Sequence, residues 1–227
     1  MANQFWWVIY PYLCLAVMVA GSLYRYAYNP VSWGSRSSEL LEKRLLKWGS
    51  LLFHWGILLV IVGHVMGLLV PVGVYQTLGI SRELYHENAD ILGGIAGLMT
   101  WVGLAILLVR RFGNRRIRQN SSLSDLVALV LLFIVVTTGD SLTLIYNNLY
   151  GPYGYRHTVG PWVRGLLTLR PQVALMAHVP LLFQIHIELA FLLFAVSPFT
   201  RLVHIWSVPV AYPRRAPMQY RARNQYR

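Results

Sequence analysis

The chain is poor in cysteine and in acidic residues. Cys14 is the single cysteine among 227 residues, which excludes an intrachain disulfide, a four-cysteine iron–sulfur cluster and a c-type haem attachment motif. Only 8 Asp and Glu stand against 20 Lys and Arg, and 12% of the residues are charged while 56% are hydrophobic. Soluble domains carry about 25% charged residues. The composition therefore excludes an ordinary soluble or disordered protein and predicts a membrane protein.

Five apolar stretches are long enough to cross about 30 Å of hydrocarbon at 1.5 Å per residue. They predict an all-α fold, an integral bundle of five transmembrane helices that forms a single membrane domain over 1–227. No basic residue precedes the first apolar run, as it would in a signal peptide, so we expect this run to remain as a helix in the cell membrane. The predicted helices span about 5–24, 48–70, 89–109, 123–146 and 178–206.

The basic residues indicate an orientation. Of the 20 Lys and Arg, 16 lie in the first connection, the third connection and the C-terminal end. Cytoplasmic loops carry this excess, so we predict that the N-terminus faces outside and that a basic tail, 207–227, faces the cytoplasm. Because the basic residues lie in the gaps between apolar runs, the net charge of +12 indicates topology and no nucleic-acid partner.

Four of the seven histidines fall inside the second and fifth predicted helices. An ionisable side chain in a spanning helix is costly without a partner and points to function. Matching depth along these antiparallel helices pairs His54 with His204 near the cytoplasm and His64 with His186 near the outer face. One imidazole on each face of a porphyrin predicts two b-type haems. A hydrogen-bonded core histidine is the alternative for any one of them, and His178 competes with His186.

The distance between the two histidines along the second helix does not match the distance along the fifth. His186 and His204 are 18 residues apart and His54 and His64 are 10 apart, which in helices gives rises of about 27 Å and 15 Å. Pro198 permits a kink and helix tilt shortens the projected depth. The sequence alone leaves the difference unexplained.

Further candidate features lie near the histidines. Gly63 with Gly67 and Gly93 with Gly97 have G-x-x-x-G spacing, which lets a neighbouring helix or a flat cofactor approach closely. Glu188 is interpreted as the one carboxylate well inside a helix, able to accept a proton or to bond a haem-linked group. The aromatic connection at about 147–177 is expected to supply interfacial anchors or a lid.

These segments resemble the gamma subunit of respiratory nitrate reductase, a dihaem cytochrome b that anchors its enzyme to the membrane. The most specific segment is 197–209, with the sequence SPFTRLVHIWSVP. The resemblance covers nearly the whole chain. Other similar segments are 9–12 (IYPY), 37–41 (SSELL), 52–57 (LFHWGI) and 62–64 (VGH).

The resemblance implies that His54 and His204 ligate the inner haem b iron and that His64 and His186 ligate the outer one. It implies oxidation of a quinol, menaquinol or ubiquinol, near the outer face. Electrons then pass to an iron–sulfur beta subunit and to a molybdenum catalytic alpha subunit that reduces nitrate, so this chain would not bind nitrate itself.

The quinol-site candidates are Gly63, His86 and Glu188, although Tyr85 and His86 stand roughly where a basic lysine can occur in this family. A solvated histidine is the ordinary interpretation of His86. Arg201, one turn before His204, is the main candidate for binding the inner haem propionates. The other candidates for propionates or acidic partner surfaces are Arg25, Arg36, Arg110 and Arg111.

Two other functions remain open at this point. A dihaem anchor of a hydrogenase or formate dehydrogenase would also carry histidines on membrane helices. A haemless proton-coupled transporter would use them to line a proton path. The lack of an internal repeat counts against the transporter.

Overall fold

The structure, a computed structural model, describes residues 2–29, 32–33 and 38–206. Within these residues five helices are long and apolar enough to cross a membrane, and no strand is present. The predicted all-α bundle of five transmembrane helices is confirmed. Arg36 and the predicted basic tail lie outside the described residues. The membrane helices are α1 (Phe5–Tyr28), α2 (Arg44–Leu69), α3 (Arg82–Gly113), α4 (Leu123–Tyr150) and α5 (Leu181–Phe199).

Helix α3 begins earlier than the apolar pattern predicts. The Ser81 hydroxyl accepts a hydrogen bond from the Leu84 backbone N–H at 3.1 Å and caps the helix. Hydropathy misses this first part because it is polar. His86, predicted to lie in a connection, is therefore on the first turns of α3.

The fifth helix is shorter than predicted and breaks near its end. The α-helical turns stop at Val196, and a 3₁₀ turn follows over Ser197–Phe199. Thr200 is extended, with φ −124° and ψ −177°, and a second 3₁₀ segment spans Arg201–Trp206. The Pro198 ring cannot donate the backbone hydrogen bond that an uninterrupted helix requires.

Arg25 of α1 forms hydrogen bonds with the backbone at this break. Its Nη1 donates to the carbonyl oxygens of Pro198 at 2.6 Å and Thr200 at 2.7 Å. Because the chain leaves the helix axis at Thr200, the segment from His186 to His204 is not a continuous helical rise. The predicted rise of about 27 Å, which assumes one unbroken α-helix from His186 to His204, therefore does not apply to this chain.

Glycines set the closest approach between α2 and α3. A Cβ atom at Gly56 would lie 2.5 Å from Thr100 Oγ1, and the Thr100 hydroxyl donates to the Ala96 carbonyl at 2.7 Å. The two glycines of the G-x-x-x-G pair in α2 have different surroundings. Gly67 contacts Tyr155 in the connection between α4 and α5, which is called the outer connection below. Gly63 has open space at its Cα.

The connection between α4 and α5 folds back over the start of α1. Its short helix Val159–Leu167 buries Trp162 completely, and the Trp162 indole donates to the Trp7 carbonyl at 3.0 Å. The Tyr12 hydroxyl also donates to the Leu166 carbonyl at 3.0 Å. This connection is thus packed on the bundle and places its own polar side chains against α2 and α3.

Candidate functional site

The structure brings the four intramembrane histidines together as two facing pairs. The ring centres of His54 and His204, here called the inner pair, are 6.4 Å apart. Those of His64 and His186, the outer pair, are 6.3 Å apart. The names follow the orientation predicted from charge. In each pair one ring comes from α2, and the other comes from α5 or from the 3₁₀ segment that follows it.

Both separations suit one metal ion held between two imidazoles. A ring nitrogen lies about 1.1 Å from the ring centre and a metal–nitrogen bond measures about 2.0 Å, so two rings on one metal have centres roughly 6 Å apart. Among the described residues, no group of three or more His, Cys, Asp or Glu is placed to hold a metal. Two ligands are too few for a bare structural ion but suffice for iron whose other ligands belong to a porphyrin.

Backbone carbonyls orient the rings of the inner pair. His54 Nδ1 lies 2.7 Å from the Ser50 carbonyl oxygen, and His204 Nδ1 is hydrogen-bonded to the Arg201 carbonyl. A carbonyl only accepts, so Nδ1 is the protonated nitrogen in each ring. The Nε2 lone pair is left for a ligand bond, as is usual for metal-binding histidines.

The outer pair has the same arrangement with one side-chain partner. His64 Nδ1 donates to the Val60 carbonyl at 2.8 Å. His186 Nδ1 lies 3.0 Å from the hydroxyl oxygen of Thr138, and this hydroxyl donates its own hydrogen to the Val135 carbonyl at 2.8 Å. The Thr138 oxygen therefore accepts from His186. Nε2 is again the nitrogen that is left for a ligand bond.

The predicted quinol-site residues lie on different elements. Gly63, next to His64, has open space at its Cα. His86 is half-buried and lines a small cavity at the start of α3. Glu188 lies beside α1, where its backbone carbonyl accepts from the Tyr10 hydroxyl at 2.8 Å. Among the described residues, no hydrogen bond or ion pair joins Glu188 to His86.

Arg110 fixes the first connection to the bundle. Its guanidinium is 3% exposed, pairs with the Glu42 carboxylate at 2.7 Å and donates to Ser38. Burial alone would raise the pKa of Glu42, but hydrogen bonds from the backbone N–H of Leu45 and from Arg110 hold that pKa below its usual range. Like Arg25, this arginine has a structural role.

Asp125 joins two of the other candidate arginines. Arg111 donates to the Ser121 hydroxyl at 2.8 Å and lies 3.6 Å from the Asp125 carboxylate. Arg201 Nε is 3.1 Å from the same carboxylate. The Arg201 carbonyl also holds His204. Arg201 therefore stays beside the inner pair, as its position in the sequence predicts.

The sequence patterns single out none of Thr138, Asp140 and Arg156. Asp140 is a second carboxylate well inside a helix, and its Oδ1 occupies the place of the missing side chain of Gly97. Its position inside the fourth apolar stretch is the sequence feature that could have identified it. Arg156 is one of the four Lys and Arg that the charge pattern assigns to the outer side. The structure places it on the rings of Tyr75 and Tyr85, a contact that the sequence does not reveal.

Comparison with known proteins identifies the family of this chain. Residues 3–223 match the family described as nitrate reductase gamma subunit. The chain is 45% identical over 224 residues to the nitrate reductase gamma chain of Bacillus subtilis, which covers 99% of this chain and 100% of that protein. It is 36% identical to the respiratory nitrate reductase 2 gamma chain of Escherichia coli, with 92% of each chain covered.

A more distant relative has a related name. The Hdr-like menaquinol oxidoreductase cytochrome b-like subunit of Archaeoglobus fulgidus is 26% identical over 96% of this chain and 63% of that protein. The family match and the five membrane-spanning helices together make this chain a multi-pass cell membrane protein and a membrane subunit of nitrate reductase. The chain belongs to the nitrate reductase gamma subunit family.

Proposed function

We propose that this chain is the quinol-oxidising, dihaem cytochrome b subunit of its nitrate reductase. The observation that carries the proposal is the repeated geometry of the two pairs, with ring centres 6.4 Å and 6.3 Å apart. The hydrogen bonds at Nδ1 in all four rings add support, because each leaves the Nε2 lone pair available for a ligand bond.

His54 and His204 would hold one haem b and His64 and His186 the other. A haem bound at each pair would supply reversible one-electron oxidation and reduction of its iron. The chain's own residues supply binding and orientation. Two ligand pairs at different depths also divide the roughly 30 Å of hydrocarbon into shorter distances for electrons.

The quinol side of the reaction is assigned to the outer pair. Open space at Gly63 leaves room for a flat ring next to His64. His86, half-buried in the cavity at the start of α3, is the candidate to accept a quinol proton. Glu188, on the α1 side of α5, is a second candidate for holding a proton. Protons released there would leave on the outer side.

The cytoplasmic partners are assigned to the opposite end. Arg115, Arg116 and Arg118, between α3 and α4, are exposed, while Arg110 and Arg111 are buried. Exposed arginines suit an acidic partner surface, which we assign to an iron–sulfur beta subunit that passes electrons to a molybdenum alpha subunit. Arg201 is kept as the candidate donor to the carboxylates of the inner haem.

A redox-difference spectrum of the purified complex tests the proposal, with haem quantified per chain and reduction first by menaquinol and then by dithionite. Two b-type haems per chain that menaquinol reduces are expected. His186→Ala should lose one haem, whereas His178→Ala, in an exposed turn before α5, should keep both. A well-folded preparation without haem would overturn the proposal and favour a proton-coupled transporter.

A further inference from the structure

A buried arginine lies in the outer connection, apart from the histidine pairs. Arg156, in the 3₁₀ turn Tyr155–His157, is 5% exposed. Its guanidinium carbon lies 3.6 Å from the ring centre of Tyr85 and 4.3 Å from that of Tyr75. Contacts of this kind stabilise a cation over the face of an aromatic ring and fix the plane of the guanidinium.

Two of the three guanidinium nitrogens of Arg156 lack an acceptor. Its Nε and Nη2 are buried without a hydrogen-bond partner, and none of the ion pairs between described residues includes this arginine. Stacking on a ring satisfies the face of a guanidinium but not the N–H groups in its plane. Burial raises the pKa of Tyr75, so this phenol stays neutral and does not cancel the charge. A buried cation without an acceptor is costly.

Arg156 lines a cavity of about 90 Å³ at the outer end of the bundle. The other polar side chains that line it are Tyr75, Gln76, Arg82, His86 and His157, and no Asp or Glu among the described residues does so. Arg82 Nη2 lies 3.6 Å from the position that a Cβ atom at Gly154 would occupy. The walls thus present the buried charge of Arg156, the exposed charge of Arg82 and several donors to a space that holds a group of a few heavy atoms.

We propose that this cavity binds a negatively charged oxygen group, a carboxylate or a phosphate, with Arg156 as its main ligand and Arg82 as its second. Arginine binds both groups through two parallel N–H···O bonds. The cavity lies at the outer-pair end, because Tyr155, next to Arg156, packs its hydroxyl on Gly67, one turn beyond His64.

Two sources have this chemistry at that place. One is a propionate carboxylate of the outer haem, which rests on the proposed function. The other is the phosphate of a lipid headgroup at the outer membrane interface, which does not. In both cases the acceptor completes the hydrogen bonds of Arg156.

The test compares Arg156→Gln, Arg156→Lys and Arg82→Gln in the purified complex. Arg170→Gln is the matched control, since it removes the same charge from an exposed position of the same connection. The reduction potentials of both haems are measured by spectroscopic titration. Bound lipid is counted by native mass spectrometry after detergent exchange with added phosphatidylglycerol.

If a haem propionate occupies the cavity, Arg156→Gln should lower the reduction potential of the outer haem alone. The reason is that loss of a nearby cation favours the more positive, oxidised iron. A lipid phosphate predicts loss of one retained phosphatidylglycerol per chain at unchanged potentials. Arg156→Lys and Arg82→Gln should give smaller shifts of the same kind. These two variants can be measured in its place if Arg156→Gln does not fold.

The proposal is overturned if all Arg156 and Arg82 variants match Arg170→Gln in both measurements. Absence of haem from every preparation would instead contradict the proposed function. In that event the count of bound phosphatidylglycerol alone decides whether the cavity binds an anionic group.

Discussion

The imidazole of His186 lies directly against the backbone of Gly139, so that a Cβ atom at position 139 would be 2.9 Å from His186 Cε1. Real Cβ atoms essentially never come so close to another heavy atom. The ring also has little freedom to move away, because its Nδ1 is bonded to Thr138, the residue before the glycine. The position and rotation of the His186 ring thus depend on a glycine and a threonine that are adjacent in α4.

Gly139→Ala should therefore displace His186 and reduce the haem content from two per chain to about one. Alanine favours the helix by about 1 kcal/mol over glycine, so loss of haem would not arise from a weaker α4. Haem and protein are measured in the same purified sample. Gly93→Ala, where nothing lies within 4 Å, is the control and should keep both haems. Two haems in Gly139→Ala would show that His186 is not held against the glycine.

Thr138→Val tests the hydrogen bond to His186 without changing the ligand. Loss of such a partner weakens metal affinity by roughly 10–100-fold. A less basic imidazole also stabilises oxidised iron less, so the potential of the outer haem should rise. Thr138→Ser keeps the hydroxyl and should resemble the unchanged protein. Equal potentials in the valine and serine variants would remove Thr138 from the site.

His204→Ala and His64→Ala should each remove a different haem. Each variant leaves one imidazole of a pair without its counterpart, and the two ligands of the other pair are untouched. In His204→Ala, menaquinol should still reduce the remaining haem, while electron delivery to nitrate stops. In His64→Ala, reduction by menaquinol should be lost. Retention of two low-spin haems in either variant contradicts the assignment of that residue.

The pairing of histidines was predictable because it depends on helix order and depth. Five apolar runs joined by alternating loops fix α2 and α5 as antiparallel, and sequence order along each then gives depth. The break after Val196 was not predictable in detail. Pro198 signals a break, but the direction of the chain depends on the bonds from Arg25 to Pro198 and Thr200, which join residues far apart in the sequence.

Arg156 shows a second limit of the sequence. Its site combines the segment that contains Tyr75, the start of α3 with Tyr85 and the outer connection itself. No periodicity brings these three elements together. The cation over the Tyr85 ring thus comes from a segment about 70 residues away in the sequence.

The first connection should loosen in acid. The pKa of Glu42 is lowered in the folded protein, so its contribution to stability is complete above the unfolded value of about 4.3 and is lost as pH falls through the lower folded value. Glu42→Gln should remove this dependence. The measurement is the rate of proteolytic cleavage in the segment 38–43 between about pH 5 and pH 3, with an acid-stable protease.

Glu39→Gln is the matched control for Glu42. The Glu39 pair with Lys43 is exposed, at 3.6 Å, with side chains 55% and 76% accessible. Exposed pairs contribute little, so this variant should keep the acid sensitivity of the unchanged protein. An identical pH profile in Glu42→Gln would mean that another group controls the attachment of the connection.

Gly63→Val tests whether the open space next to His64 admits the quinol ring. The added side chain meets nothing within 4 Å at its Cβ, so the bundle and both haems should be preserved. A filled space should slow reduction by menaquinol by at least tenfold and leave reduction by dithionite unchanged, because a small reductant needs no ring-shaped pocket. Stopped-flow absorption of the outer haem measures both rates. Equal slowing with both reductants would indicate a disturbed haem, and unchanged rates would place the quinol elsewhere, with His86 or Glu188 as the residues to vary next.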